Sequence, residues 1–169
     1  RVFCWSYFSA HRLGKSMNPL SGTDATEYVD GIVHADTQVA ERGLDLTVAE
    51  VHRLLGRGAL DFGGSEFEAA DSERLDPQLA DEEDTYGWWA LPEGTYRVRY
   101  NESLRLPEHL EAVLEPLPRL LAAGAHHPSI HPDHPSGSAG QLEMVIAVGH
   151  SGCRIKENAR VSRLRLREI

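Results

Sequence analysis

Cysteine is scarce in this 169-residue chain: Cys4 and Cys153 are far apart and form no CxxC pair. Two reduced thiols in a cytoplasmic protein are therefore expected, rather than a disulfide framework. Long apolar runs are missing, so no stretch has the length of a bilayer-spanning helix. The aromatic opening segment is broken by Ser6 and Ser9 and runs into His11-Arg12, unlike the continuous apolar core of a secretory signal. Cations are short as well. Seventeen Lys and Arg against twenty-six Asp and Glu leave a formal charge of -9. That balance argues against duplex nucleic acid and anionic membrane as partners, since both require a basic footprint. It leaves a nucleotide open, because a phosphate site needs a few local cations or backbone donors. Walker A, GxGxxG, GxSxG and HExxH patterns are all absent.

What is present is ordinary globular material. Apolar residues make up 41% and charged residues 25%, enough for one buried core and one domain, expected over residues 17–169. Residues 1–16 precede a start-like Met17-Asn18-Pro19-Leu20 and read as an extension. An ordered arm packing Phe3, Trp5, Tyr7 and Phe8 is the alternative. Residues 63–88 turn acidic, with Glu66, Glu68, Asp71, Glu73, Asp76 and the run Asp81 to Asp84, and read as a solvated connection or insertion.

The local patterns are mostly those of strands. Residues 44–55 are ambiguous: Leu44, Leu46 and Val48 alternate, while Val48, Val51, Leu54 and Leu55 fit a helical face. Ala59-Leu60-Asp61-Phe62 then reads as a returning hairpin strand. Tyr96, Val98 and Tyr100 alternate with Arg97 and Arg99, a turn is expected at Asn101-Glu102, and residues 103–107 alternate again. Pro116 and Pro118 exclude a helix through residues 110–117, and residues 142–148 and 159–166 supply two late strands. Many short strands with regular turns predict a mainly β fold, a jelly roll or barrel with few short helices.

Three segments resemble the dCTP deaminase/dUTPase family, in order. Val39-Ala40-Glu41-Arg42-Gly43-Leu44-Asp45-Leu46 resembles its N-terminal V-x-P-x-G-x-D-L strand. Residues 94–107, from Gly94-Thr95-Tyr96 to Leu106-Pro107, are similar to its G-x-Y-x-V-x-x-x-E-x-x-x-x-P hairpin. Asn158-Ala159-Arg160-Val161-Ser162-Arg163-Leu164 looks like its closing G-A-R-V-A-Q-L strand. The resemblance implies that the first half of residues 44–55 is strand. It further implies a distorted jelly roll of the dUTPase-like type, in a homotrimer with active sites shared between subunits. The implied activity is hydrolysis of a deoxynucleoside triphosphate, dUTP or dCTP, or deamination of its base. Mg²⁺ carried by the triphosphate is the implied cofactor.

The family's P-R-S-S-L-x-R segment holds phosphate. Here it reads Pro116-Leu117-Pro118-Arg119-Leu120-Leu121-Ala122, which keeps Pro116 and Leu120, replaces both serines and both arginines, and offers Arg119 as a new cation. Pro118 also removes a backbone donor. Where the family carries a water-polarising Asp turn, this chain has His131-Pro132-Asp133. His131 and Asp133 are thus candidate bases. Glu143 falls at the deaminase proton-shuttling Glu, and Arg163 at a late Gln that contacts phosphate in some members. His126, His127, His131 and His134 form no established zinc spacing, and no protein-held metal is expected. The replaced positions leave a non-catalytic, nucleotide-binding or regulatory relative as the alternative.

Overall fold

The computed structural model describes residues 18–132 and 139–169. The expectations for residues 1–16, for Asp133 and for His134 lie outside the described residues. In chain order the strands are β1 (Val29–Asp30), β2 (Val39–Ala40), β3 (Gly43–Leu55), β4 (Asp71–Leu75), β5 (Trp88–Leu91) and β6 (Gly94–Arg105), followed by β7 (Leu110–Pro116), β8 (Ala125–His126), β9 (Ala139–Val148), β10 (Cys153–Lys156) and β11 (Arg160–Glu168). Among the described residues three short α-helices accompany them, α1 (Gly22–Ala25), α2 (Ala35–Gln38) and α3 (Pro118–Ala122), with a 3-10 turn at Thr26–Tyr28.

The main sheet runs β7-β11-β3-β6-β9-β8, with β1 added to β6 and with β2 and β4 added to β3; β5 and β10 form a separate ribbon. Its long strands follow the period-two rule. In β6, Tyr96, Val98, Tyr100 and Leu104 are buried while Arg97, Arg99 and Ser103 are not. Leu44, Leu46, Leu114, Leu142, Ile146, Leu164 and Leu166 meet them in a single core. Each such side chain contributes about 1.5–3 kcal/mol on full burial. The fold is mainly β with few short helices, as expected.

Several local readings change. Residues 44–55 are strand to the end, because β3 is flanked over that half by both β4 and β6. Ala59 makes one isolated bridge to Glu68, and the partner of β3 is β4, inside the acidic stretch. Asn101-Glu102 is no turn: β6 passes straight through it, with an irregularity in its pairing to β9 between Arg99 and Ser103. The helix α3 starts at Pro118, where a missing N–H costs nothing, and Leu120 anchors it to the core. Asn158 holds φ of +60° at the family's glycine position. Asparagine tolerates that left-handed conformation better than other side-chain-bearing residues.

Candidate functional site

Asp45 lies in β3 between two core leucines and is 3% exposed. A carboxylate so placed requires charged partners, and three arginines supply them. Arg163 Nε donates to Oδ1 at 2.7 Å, Arg160 Nη1 stands 3.4 Å from Oδ2, and Arg119 Nη2 stands 3.6 Å from Oδ2. Arg160 also donates to the Thr37 carbonyl at the end of α2. Residues 160 and 163 are separated by an odd number, so a regular strand would point them to opposite faces. The irregularity in β11 between Arg160 and Ser162 brings both to Asp45. Arg119 reaches the same carboxylate from α3. Three guanidiniums on one carboxylate leave a surplus of two positive charges. Burial lowers the Arg119 pKa, and Arg160 beside it adds to that against the pull of Asp45. The side chains remain partly open to solvent, Arg119 the most so at 51%. Three guanidiniums with one carboxylate between them have the chemistry to hold an anion.

Two buried polar networks hold this corner in place. Glu102, fully buried, accepts from Gln38 Nε2 at 2.6 Å, Thr47 N at 2.9 Å and Thr47 Oγ1 at 2.6 Å. Burial raises its pKa although these donors pull the other way. Behind Arg163, Ser162 bridges Tyr100 and His127, with Oγ 2.8 Å from His127 Nε2. His127 Nδ1 lies 2.8 Å from the Pro128 carbonyl and must donate to it. Nε2 is then the acceptor, the Ser162 hydroxyl donates to it, and Tyr100 donates to Ser162. Burial pushes the Tyr100 hydroxyl pKa up and the His127 pKa down.

The folded pKa of His127 is depressed below the ordinary value of about 6.5, so the unfolded chain binds the proton first. The stability it contributes is full above that value and is lost as pH falls through it toward the folded pKa. Glu102, with a raised pKa, acts in the opposite sense nearer the carboxylate range. Melting temperature between pH 7.5 and 5.5 is therefore expected to fall more steeply for the native chain than for His127→Gln. Parallel curves would contradict the assigned proton directions.

The remaining predicted residues stand elsewhere. His131 Nδ1 is 2.7 Å from Glu111 Oε1, and Glu111 also holds Arg167. Four residues of β11 separate Arg167 from Arg163, about 13 Å of strand. Glu143 is on β9, shared by Arg99 at 3.1 Å and Arg97 at 3.8 Å. It stands two strands from β3, roughly 10 Å across the sheet. Within one chain, Arg119 and Arg163 come together, and His131 and Glu143 join neither them nor each other. Among the described residues no three of His, Cys, Asp and Glu converge as metal ligands. Asp45 and Arg160 were missed as site residues. The available signal was an Asp flanked by core leucines; the odd spacing of Arg160 and Arg163 hid their convergence.

No protein-family profile matches the chain. The probable deoxyuridine 5'-triphosphate nucleotidohydrolase of Methanosarcina mazei is 34% identical over 137 residues, covering 80% of this chain and 75% of its own. A protein of the same name from Archaeoglobus fulgidus is 32% identical over 139 residues, covering 82% and 74%. Among solved structures, the 2'-deoxycytidine 5'-triphosphate deaminase of Agrobacterium tumefaciens superposes with a TM-score of 0.63 at 17% identity. That match takes in 92% of this chain and 49% of the deaminase, so the chain spans about half its length and the likeness concerns the fold. With its ordered motifs, its jelly roll and these relatives together, the chain belongs to the dCTP deaminase/dUTPase family.

Proposed function

We propose that the protein binds the phosphates of dUTP at the Asp45 cluster and hydrolyses it to dUMP and pyrophosphate. The convergence of Arg119, Arg160 and Arg163 on one buried carboxylate is the observation that carries this reading. It restores, with other residues, the phosphate grip that the replaced serines and arginines of residues 117–122 would have supplied. In the reaction a water oxygen attacks the α-phosphorus, the bond to the bridging oxygen breaks, and pyrophosphate leaves. The arginines offset the charge that develops on phosphate oxygens.

A base must take the water proton. His131 is suited to this: with Nδ1 donating to Glu111, its Nε2 can accept. Glu143 and Asp133 are the other candidates. The separation of His131 and Glu143 from the arginines supports a homotrimer in which a neighbouring subunit brings the base to the phosphate site. The Asp45 surroundings offer cations, with the carboxylate already occupied. They therefore suit Mg²⁺ carried by phosphate oxygens and water rather than by protein ligands. When bound, Mg²⁺ neutralises part of the triphosphate charge.

Incubation with dUTP and Mg²⁺, followed by chromatography, should yield dUMP and pyrophosphate, whereas deamination would convert dCTP to dUTP. Arg163→Gln should lower kcat/KM for dUTP by about 10- to 100-fold, the value of a charge-assisted hydrogen bond to phosphate. Mixing Arg163→Gln with His131→Ala subunits should recover activity if sites are shared. A second reading, a non-catalytic nucleotide binder, is favoured by one feature: Pro118 and Leu117 stand where the family's serine and arginine do. It predicts that dUTP raises the melting temperature with no product formed.

A further inference from the structure

Beside the Asp45 cluster, on the far side of Arg119 and Arg160, lies a cavity of about 180 Å³. The β5–β10 ribbon forms its opposite wall. Antiparallel pairing sets Lys156 directly across from Trp88, and Arg154, two residues along, shares the Lys156 face. The Arg154 guanidinium lies 4.7 Å and the Lys156 ammonium 5.4 Å from the centre of the Trp88 ring. Arg119 and Arg160 also line the space, so four cations border an otherwise apolar lining, with no acidic residue among the described ones.

Among the described residues, neither Arg154 nor Lys156 has a carboxylate partner, and the Trp88 face offsets their charge only in part. The next residue, Glu157, turns away to accept from the Gly87 N–H at 2.6 Å. Asp45 reaches Arg119 and Arg160 from the other side and is already divided among three arginines. Leu120 and Ile155 give the cavity an apolar floor.

Size restricts the occupant. Pockets for drug-sized molecules begin at about 300 Å³, so a cavity of about 180 Å³ favours a small group over a whole nucleoside. The Trp88 face that a base would stack on is also covered by Arg154 and Lys156. A group that is compact and multiply charged remains. We infer that the Trp88–Arg154–Lys156 cavity is a diphosphate-binding site, a feature beyond the Asp45 phosphate grip proposed above. The diphosphate could arrive as free pyrophosphate or as the end of a nucleotide, and the chemistry of recognition is the same for both.

The test is calorimetric titration of the intact protein with inorganic pyrophosphate at low and high salt. Saturable binding that weakens with salt is expected. Arg154→Gln and Lys156→Gln should each weaken it by about tenfold or more, while Lys156→Arg, which keeps the charge, should stay within a few-fold of the native chain. Arg154 is exposed and Lys156 half-buried, so both variants should fold, and their melting curves check this. Competition by a non-hydrolysable dUTP analogue would identify the diphosphate as a nucleotide's end; its absence would identify free pyrophosphate. No saturable binding, or binding weakened by Arg163→Gln and untouched by Arg154→Gln and Lys156→Gln, would overturn the proposal. Those outcomes leave the Asp45 cluster to be judged on dUTP alone.

Discussion

Asparagine in place of Asp45 is expected to destabilise the protein by about 3 kcal/mol, roughly 6–12 °C in melting temperature for a chain of this size. Three guanidiniums would then face one another across a neutral amide. The value sits at the low end for breaking a buried ion pair because Arg119, Arg160 and Arg163 each keep some contact with water. Added pyrophosphate should restore part of the loss, and should raise the melting temperature of Asp45→Asn more than that of the native chain, since an anion can replace the missing carboxylate. A variant that melts within a degree or two of the native protein would show that the arginines are solvated and do not depend on Asp45.

Removal of the Glu102 carboxylate should cost more. Glu102→Ala strands three donors at once, Gln38 Nε2, Thr47 N and Thr47 Oγ1, in a site closed to water. About 3–5 kcal/mol is expected. Glu102→Gln keeps one acceptor oxygen and should fall between the two. These bonds tie α2, β3 and β6 together, and α2 presents the Thr37 carbonyl that Arg160 uses. Loss of Glu102 should therefore loosen phosphate binding as well as the fold. Urea unfolding of the three proteins, read by tryptophan fluorescence, measures the order; Ala and Gln variants of equal stability would contradict the account.

How far the sequence could be read depended on whether a residue's fate was local. The alternation of Tyr96, Val98 and Tyr100 needed nothing but its own period, and β6 begins there as expected. Asn101 and Glu102 looked like a turn because both are poor strand formers. Their side chains are satisfied from other elements, Glu102 by Gln38 and Thr47, and Asn101 by Thr47 and Asn158. Tertiary bonding thus overrides propensity. Residues 44–55 were ambiguous because the irregularity in β3 pairing between Val48 and Glu50 breaks the alternation partway along. Ala59 to Phe62 had strand propensity, yet the polar Asp71–Leu75 segment took the place beside β3, with Arg74 meeting Glu50.

The site followed the same division. Arg119 and Arg163 could be singled out by comparison with family motifs, residue by residue. Their meeting on Asp45, and the addition of Arg160, depend on a β11 irregularity that no spacing rule reveals. The pairing of His131 with Glu111, and of Glu143 with Arg97 and Arg99, likewise follows from strand register.

The claim that the Asp45-bridged arginines grip the nucleotide's phosphates can be measured without turnover. Equilibrium dialysis of a non-hydrolysable dUTP analogue with Mg²⁺ against the native protein and Arg163→Gln, each shown to be folded, isolates that grip. The account predicts that affinity drops by about tenfold or more in the variant and that the native protein shows the steeper salt dependence. Equal affinity and equal salt dependence would contradict it.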